Sequence, residues 1–484
     1  MRALGMDRRE WLFGACLFAC LLWCANSFLN ANVVSRLGLA EAIVSRGALT
    51  IDAVAPHTID KALWRGHFYS DKAPGLSLLV VPPLKLADVV LDAASVPAGL
   101  FRSAIGHRVG PRYLPYAYVA FLTSSVLACL ICVLAFRRAL IGAGVAPRLV
   151  ATMTLALAFA TPVFIWSTTI LGHATATALL FAAFALGWTG GQRTRAISSR
   201  RYALVGLCLS LAMLVDLTAA PAGALVAIYL LATEHGRTGR PRTAALAALT
   251  AGALPAGFAL LVYNQLAFGS PLHLGYGSVA GWEGMKSGFF GIALPRLGAL
   301  IGITISPYRG MLWISPIAFV AMLSLLIGRW PDARRATLGL IGAIVLYYLT
   351  LNAGYYYWAG GYSLGPRHIT PAVPFALFAL ALRLETAGRR TRMAIAAIVA
   401  VSIVITLVAT CIIVQIPDDG RAMWDHVRPL LLAGESGLML AEFGVPFWLL
   451  LTMPFLFVAG AAGALGLGLG LEKMVGPAGL EPAT

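Results

Sequence analysis

Leu76-Ser-Leu-Leu-Val-Val-Pro82-Pro83-Leu-Lys85-Leu-Ala-Asp88-Val-Val-Leu-Asp92 decides how this chain folds. A lipid-crossing helix needs about 20 mostly apolar residues. This stretch comes close to that, but it carries two prolines and three charges. If it crosses, every later loop changes sides. The arginines choose between the two readings, because short basic loops stay cytoplasmic. The groups are Arg2/Arg8/Arg9, Arg137/Arg138/Arg148, Arg193/Arg195/Arg200/Arg201, Arg237/Arg240/Arg242, Arg329/Arg334/Arg335 and Arg389/Arg390/Arg392. Apolar runs near 11–31, 114–135, 148–167, 173–188, 203–217, 219–233, 243–264, 311–328, 335–354, 366–383, 393–415 and 445–471 make about twelve spans. With those spans all six groups fall on one side, provided that 76–92 stays outside as a helix in or dipping into the outer interface. The stretch 290–305 reads the same way.

The composition agrees. Of 484 residues, 59% are hydrophobic and 12% charged, with a mean hydropathy of +0.82. One globular core cannot bury that much apolar surface, since domains split beyond about 250–300 residues. A soluble enzyme, a disordered scaffold and a disulfide-rich secreted domain are excluded. The expected fold is an all-α polytopic membrane protein in one unit, 1–471, with a short tail at 472–484 and both termini cytoplasmic. The first apolar run is too long for a cleaved signal and lacks a clear small-x-small cleavage site. The seven cysteines all lie in apolar runs and read as packing residues. The net charge of +16 is split among cytoplasmic loops and a membrane face, so no basic stripe for nucleic acid exists.

The outer segments are long, notably 32–113, 265–310, 355–365 and 416–444. Four of the five lysines, Lys61, Lys72, Lys85 and Lys286, lie in them. The densest segment is 52–75, with Asp52, His57, Asp60, Lys61, Arg65 and His67 leading into Tyr69-Ser70-Asp71-Lys72-Ala73-Pro74-Gly75. Ionisable groups at a membrane surface are costly unless paired or functional. A carboxylate there can take a proton, and a lysine can hold a phosphate as a compact cation. A solvated loop with ion pairs would also explain the charges, but Pro74-Gly75 specifies a turn. His173 stands at the outer mouth of one span and Asp216 near the outer end of another. A lone histidine is more often structural, and a carboxylate such as Asp216 can simply bond neighbouring helices. Ser306-Pro-Tyr-Arg309-Gly310 and Gly365-Pro-Arg367-His368 bring two more cations. Arginine favours bidentate phosphate contacts. Several cations on one membrane face point to a lipid-linked phosphate.

With these motifs the chain resembles the GT-C glycosyltransferases, in pattern nearest the bacterial lipid A aminoarabinose transferases and the protein O-mannosyltransferases. The match rests on Tyr69, Asp71, Lys72 and Pro74, which open an apolar stretch after a first helix and a charged outer loop. The segments around Arg309 and Arg367/His368 look like those of bacterial membrane proteins grouped with that superfamily. The resemblance implies a bacterial inner-membrane enzyme with a periplasmic site. It would move a sugar from a polyprenyl-phosphate donor to a hydroxyl on an envelope acceptor. Carried over, Lys72 holds the phosphate, with Arg309 and Arg367 as helpers and Asp71, Tyr69, His173 and His368 lining the substrate. The family places an acid directly after the first helix. Here that stretch is Asn32-Val33-Val34-Ser35-Arg36, so the base falls to Asp60 or else Asp52. Some relatives use a divalent cation and others do not. Asp52, Asp60 and Asp216 form no tight ligand cluster in the sequence, so no obligatory metal is expected.

A multi-span transporter of a small solute is the rival reading. Carriers commonly show repeated halves and ligands near the midplane. The roughly eighty residues between the first two spans have no counterpart in the second half, and the charges gather at the outer rim. Both points favour the transferase. A non-catalytic lipid-binding or assembly protein is the third reading.

Overall fold

The computed structural model describes residues 7–103, 108–188, 197–238, 242–327 and 334–467. The tail 472–484, Arg2 and the arginines Arg193, Arg195, Arg240 and Arg329 lie outside them. The described chain is almost wholly helical; its strands form a single two-stranded hairpin among the described residues. Among the described residues, five helices are long and apolar enough to cross a membrane: Tyr113–Gly142, Thr243–Phe268, Arg335–Gly354, Arg389–Ile412 and Phe447–Ala464. Shorter apolar helices at Pro147–Phe159, Gly172–Gly187, Ala219–Thr233 and Pro316–Leu326 pack among them.

Every expected apolar run holds helix, but several differ in detail; the run 311–328, for one, breaks into Met311–Ile314 and Pro316–Leu323. The first helix, Arg8–Trp23, ends well before residue 31, and Ala31–Arg46 forms a helix of its own. Asn30 caps it by accepting from the Val33 N–H at 2.9 Å. The expected run 148–167 breaks into Pro147–Phe159 and Pro162–Ser167, because Pro162 cannot donate into a continuous ladder. The run 366–383 begins as a 3₁₀ turn, Arg367–Ala372, before the helix Val373–Leu384.

The stretch that decides the topology is the helix Gly75–Ala93, which contains both Pro82 and Pro83. Its charges keep it out of the set able to cross a membrane by length and composition. They are spent internally. Arg112, buried just before Tyr113–Gly142, donates to Asp88 at 2.6 Å, to Asp92 at 2.5 Å and to the Val96 carbonyl. Tyr116 also donates to Asp88.

Contacts at one end of the bundle join loops that the arginine pattern places together. Arg137 meets Glu10 at 3.4 Å, the Ala146 N–H donates to Glu385, Arg392 donates to the Leu384 carbonyl, and Arg334 donates to the Leu382 carbonyl.

Candidate active site

The site is assembled by a hairpin that delivers Asp71 and Lys72 to the helix ends. Strands β1 (Ala62–Trp64) and β2 (His67–Tyr69) pair antiparallel. Arg65 and Gly66 turn between them with φ of 50° and 85°, the doubly positive geometry of a tight two-residue hairpin. The segment 269–296 lays a further bridge on β1, with Ala62 opposite Val279 and the Ala280 N–H donating to the Lys61 carbonyl. That contact helps place Tyr276 within electrostatic reach of Lys72.

Beyond β2 the chain enters the helix Gly75–Ala93 against the end of the helix Ser199–Val215. A Cβ on Gly75 would lie 2.4 Å from the Leu214 backbone, and one on Gly275 would lie 3.0 Å from the Ser70 carbonyl oxygen. Main chain therefore rests on main chain on both sides of Lys72. Gly75→Ala is expected to cost about 1–3 kcal/mol by overpacking, read as a lower thermal midpoint of the detergent-solubilised protein.

The lysine ammonium lies 3.2 Å from Asp60 and 3.0 Å from Asp71. Its side chain is 16% exposed and that of Asp71 only 3%. Burial alone would push Lys72 toward neutrality, but the two carboxylates outweigh it and hold its pKa well above the ordinary lysine value. Burial pushes the Asp71 carboxyl up to about 6, against the pull of Lys72. Asp60 is aimed by a local turn: its N–H donates to Thr58 Oγ1, which itself donates to the Ala31 carbonyl. Burial raises the Tyr276 phenol to about 12, so it stays a hydrogen-bond donor beside Lys72.

Arg36 enters from the helix Ala31–Arg46. It is buried, donates to Asn32 and to the Ala73 carbonyl, and feels the charges of Asp216, Asp71 and Asp60. Ser35 and Ser77 lock the same helix to the motif through Ser70 and the Arg36 carbonyl, both at 2.8 Å. Sequence reasoning inspected this stretch for an acid and passed over Arg36. The signal was there: a lone charge within a run of Val, Leu and Ala.

Asp216 ends the helix Ser199–Val215, and His173 begins Gly172–Gly187. His173 Nδ1 lies 2.9 Å from an Asp216 oxygen. The His368 ring stands edge-on to His173 with centroids 4.9 Å apart, and Tyr355 packs on its other side at 5.2 Å. His368 lies within electrostatic reach of both His173 and Lys72. Beside it, Arg367 makes no side-chain hydrogen bond or ion pair among the described residues, and its Nε is buried without a partner. Asp60, Asp71, Lys72, His173, Arg367 and His368 thus share one neighbourhood.

Three sequence candidates lie elsewhere. Asp52 pairs with His67 at 2.8 Å and accepts from the Phe68 N–H, on a partly exposed flank of the hairpin. Tyr69 packs its ring against Phe268. Arg309 is fully buried and committed to backbone carbonyls: Pro417 at 2.5 Å, Gly420 at 3.0 Å and Tyr308 at 2.8 Å. It clamps the segment 417–420. Arg309→Ala is expected to speed hydrogen exchange across 417–422 by tenfold or more, roughly the loss of 1.5–3 kcal/mol of charged hydrogen bonds. No three His, Cys, Asp or Glu side chains gather as metal ligands among the described residues.

The fold as a whole has a counterpart among solved structures. The fold is similar to that of ArnT. The crystal structure of ArnT from Cupriavidus metallidurans bound to undecaprenyl phosphate matches with a TM-score of 0.51 at 16% identity, over 95% of this chain and 77% of that one. Its apo crystal structure gives 0.48 at 16% identity, over 94% and 76%. No protein-family model matches the chain, and a search of curated proteins returns no match.

Proposed function

We propose that the chain is a membrane glycosyltransferase that moves a sugar from a polyprenyl-phosphate donor to an acceptor hydroxyl. The observation that carries this reading is that Lys72 and Arg367, the latter with no side-chain partner among the described residues, both lie within electrostatic reach of Tyr355 and His368. The ArnT crystal structure with undecaprenyl phosphate supports it as a fold precedent. In the proposal about twelve spans cross the bacterial inner membrane, with both termini cytoplasmic and the site periplasmic.

Polyprenyl phosphate is already a good leaving group. The protein's work is to position the reactants and to stabilise charge on the departing phosphate. Lys72 supplies a compact cation, and Arg367 a planar fork with free donors. Asp60 and Asp71 hold Lys72 in place until the phosphate shares it. Asp60 sits against that lysine, which suits a counter-ion better than the base first read from sequence; Asp52, on the outer flank, fits neither role. The proposal needs no obligatory metal.

The test is direct. Purified protein is incubated with labelled polyprenyl-phosphate sugars and envelope glycan acceptors, and transfer is measured. Solute counterflow in proteoliposomes without any lipid-linked sugar, together with no transfer, would favour a carrier instead.

A further inference from the structure

The site holds a second paired group that phosphate binding leaves unused. Asp216 accepts on Oδ1 from the Thr218 N–H at 3.1 Å and from its hydroxyl at 2.7 Å. Its Oδ2 lies 2.9 Å from His173 Nδ1. An ionised carboxylate only accepts, so the neutral imidazole must carry its proton on Nδ1. Nε2 is then left with its lone pair, and no described residue hydrogen-bonds to it. A carboxylate that fixes the tautomer and orientation of an imidazole is the arrangement that turns histidine into a directed proton acceptor.

The surroundings agree. Arg36 reaches the backbone just before His173, since a Cβ on Gly172 would lie 3.1 Å from its guanidinium. His368, with Arg367 beside it, flanks the ring from the other side. In the first outer loop Asp60 and one oxygen of Asp71 are held by Lys72, and Asp52 by His67.

We propose that His173, oriented by Asp216, is the general base that takes the acceptor hydroxyl's proton. This rests on the glycosyl-transfer reading. His173 Nε2 removes the proton as the acceptor oxygen bonds to the anomeric carbon. The bond from that carbon to the phosphate oxygen breaks, and its electron pair leaves with polyprenyl phosphate beside Lys72 and Arg367. One displacement inverts the sugar centre, and the imidazolium returns its proton to water. His173 is the catalytic group, and Asp216 is a positioning residue.

The experiment compares wild type, His173→Ala, His173→Gln and Asp216→Asn, in detergent, for sugar transfer and for undecaprenyl phosphate binding. A positioned base contributes roughly 10²–10⁴-fold. Transfer by His173→Ala should fall by that much and recover with added imidazole, while undecaprenyl phosphate binding stays within twofold of wild type. His173→Gln, which keeps a similar shape, should show the same loss. Asp216→Asn should lower kcat without raising the donor KM. Wild-type transfer by His173→Ala, or a loss that tracks lost donor binding and ignores imidazole, overturns the proposal. Wild-type protein that binds undecaprenyl phosphate yet transfers none of the sugars offered, or that fails to bind it, overturns the transferase reading and this role with it.

Discussion

Lys72→Ala is expected to slow transfer and to weaken undecaprenyl phosphate binding by about 10–100-fold, the loss of one charge-assisted contact worth roughly 1.5–3 kcal/mol. The rate should fall further than the binding, by 10²–10³-fold, because charge on the phosphate oxygen grows as the sugar leaves. Removing the ammonium also strands Asp60 and Asp71, of which Asp71 is almost fully buried. The lost charge must therefore be separated from a disturbed loop. Lys72→Arg keeps the charge and should retain more binding than Lys72→Met, which keeps only the stem. Isothermal titration with undecaprenyl phosphate checks the ordering. Equal binding by all three variants would remove Lys72 from the phosphate.

Asp88→Ala should cost stability rather than chemistry. Arg112 is buried and gives Asp88 its closest contact but one, and Tyr116 donates to the same carboxylate. Truncating one partner of such a pair leaves a buried cation short of acceptors, a loss of roughly 3 kcal/mol. The thermal midpoint of the solubilised protein should drop by several degrees, while donor affinity per folded molecule stays unchanged. Asp88→Asn should lose less, since the amide oxygen still accepts. An unchanged midpoint in Asp88→Ala would show that Asp92 and the Val96 carbonyl alone secure Arg112.

These two variants mark what could be read from residue types alone. Charges among apolar neighbours announce themselves, so Lys72, Asp71, Arg367 and His368 were all legible; Lys72 pairs with Asp71, and His368 lies within electrostatic reach of the lysine. The near-continuous apolar runs gave the helices. What escaped were features that residue identity does not carry. Arg309 was visible as a cation, but its acceptors are main-chain carbonyls, which every residue owns. His173 and Asp216 each read as lone polar groups, because the 43 positions between them hide a contact made only when two helix ends abut. The helix Ala31–Arg46 did not stand out because polar and apolar residues alike are buried along it, so no solvated face sets it off.

The bare contacts at Gly75 and Gly275 bear on how this chain can diversify. Where peptide planes touch, no side chain is available to be exchanged, and the two flanks of the motif cannot drift apart by gradual substitution. Under the glycosyl-transfer reading, a different acceptor would be admitted by exposed residues such as Glu283 and Lys286 rather than by this anchor.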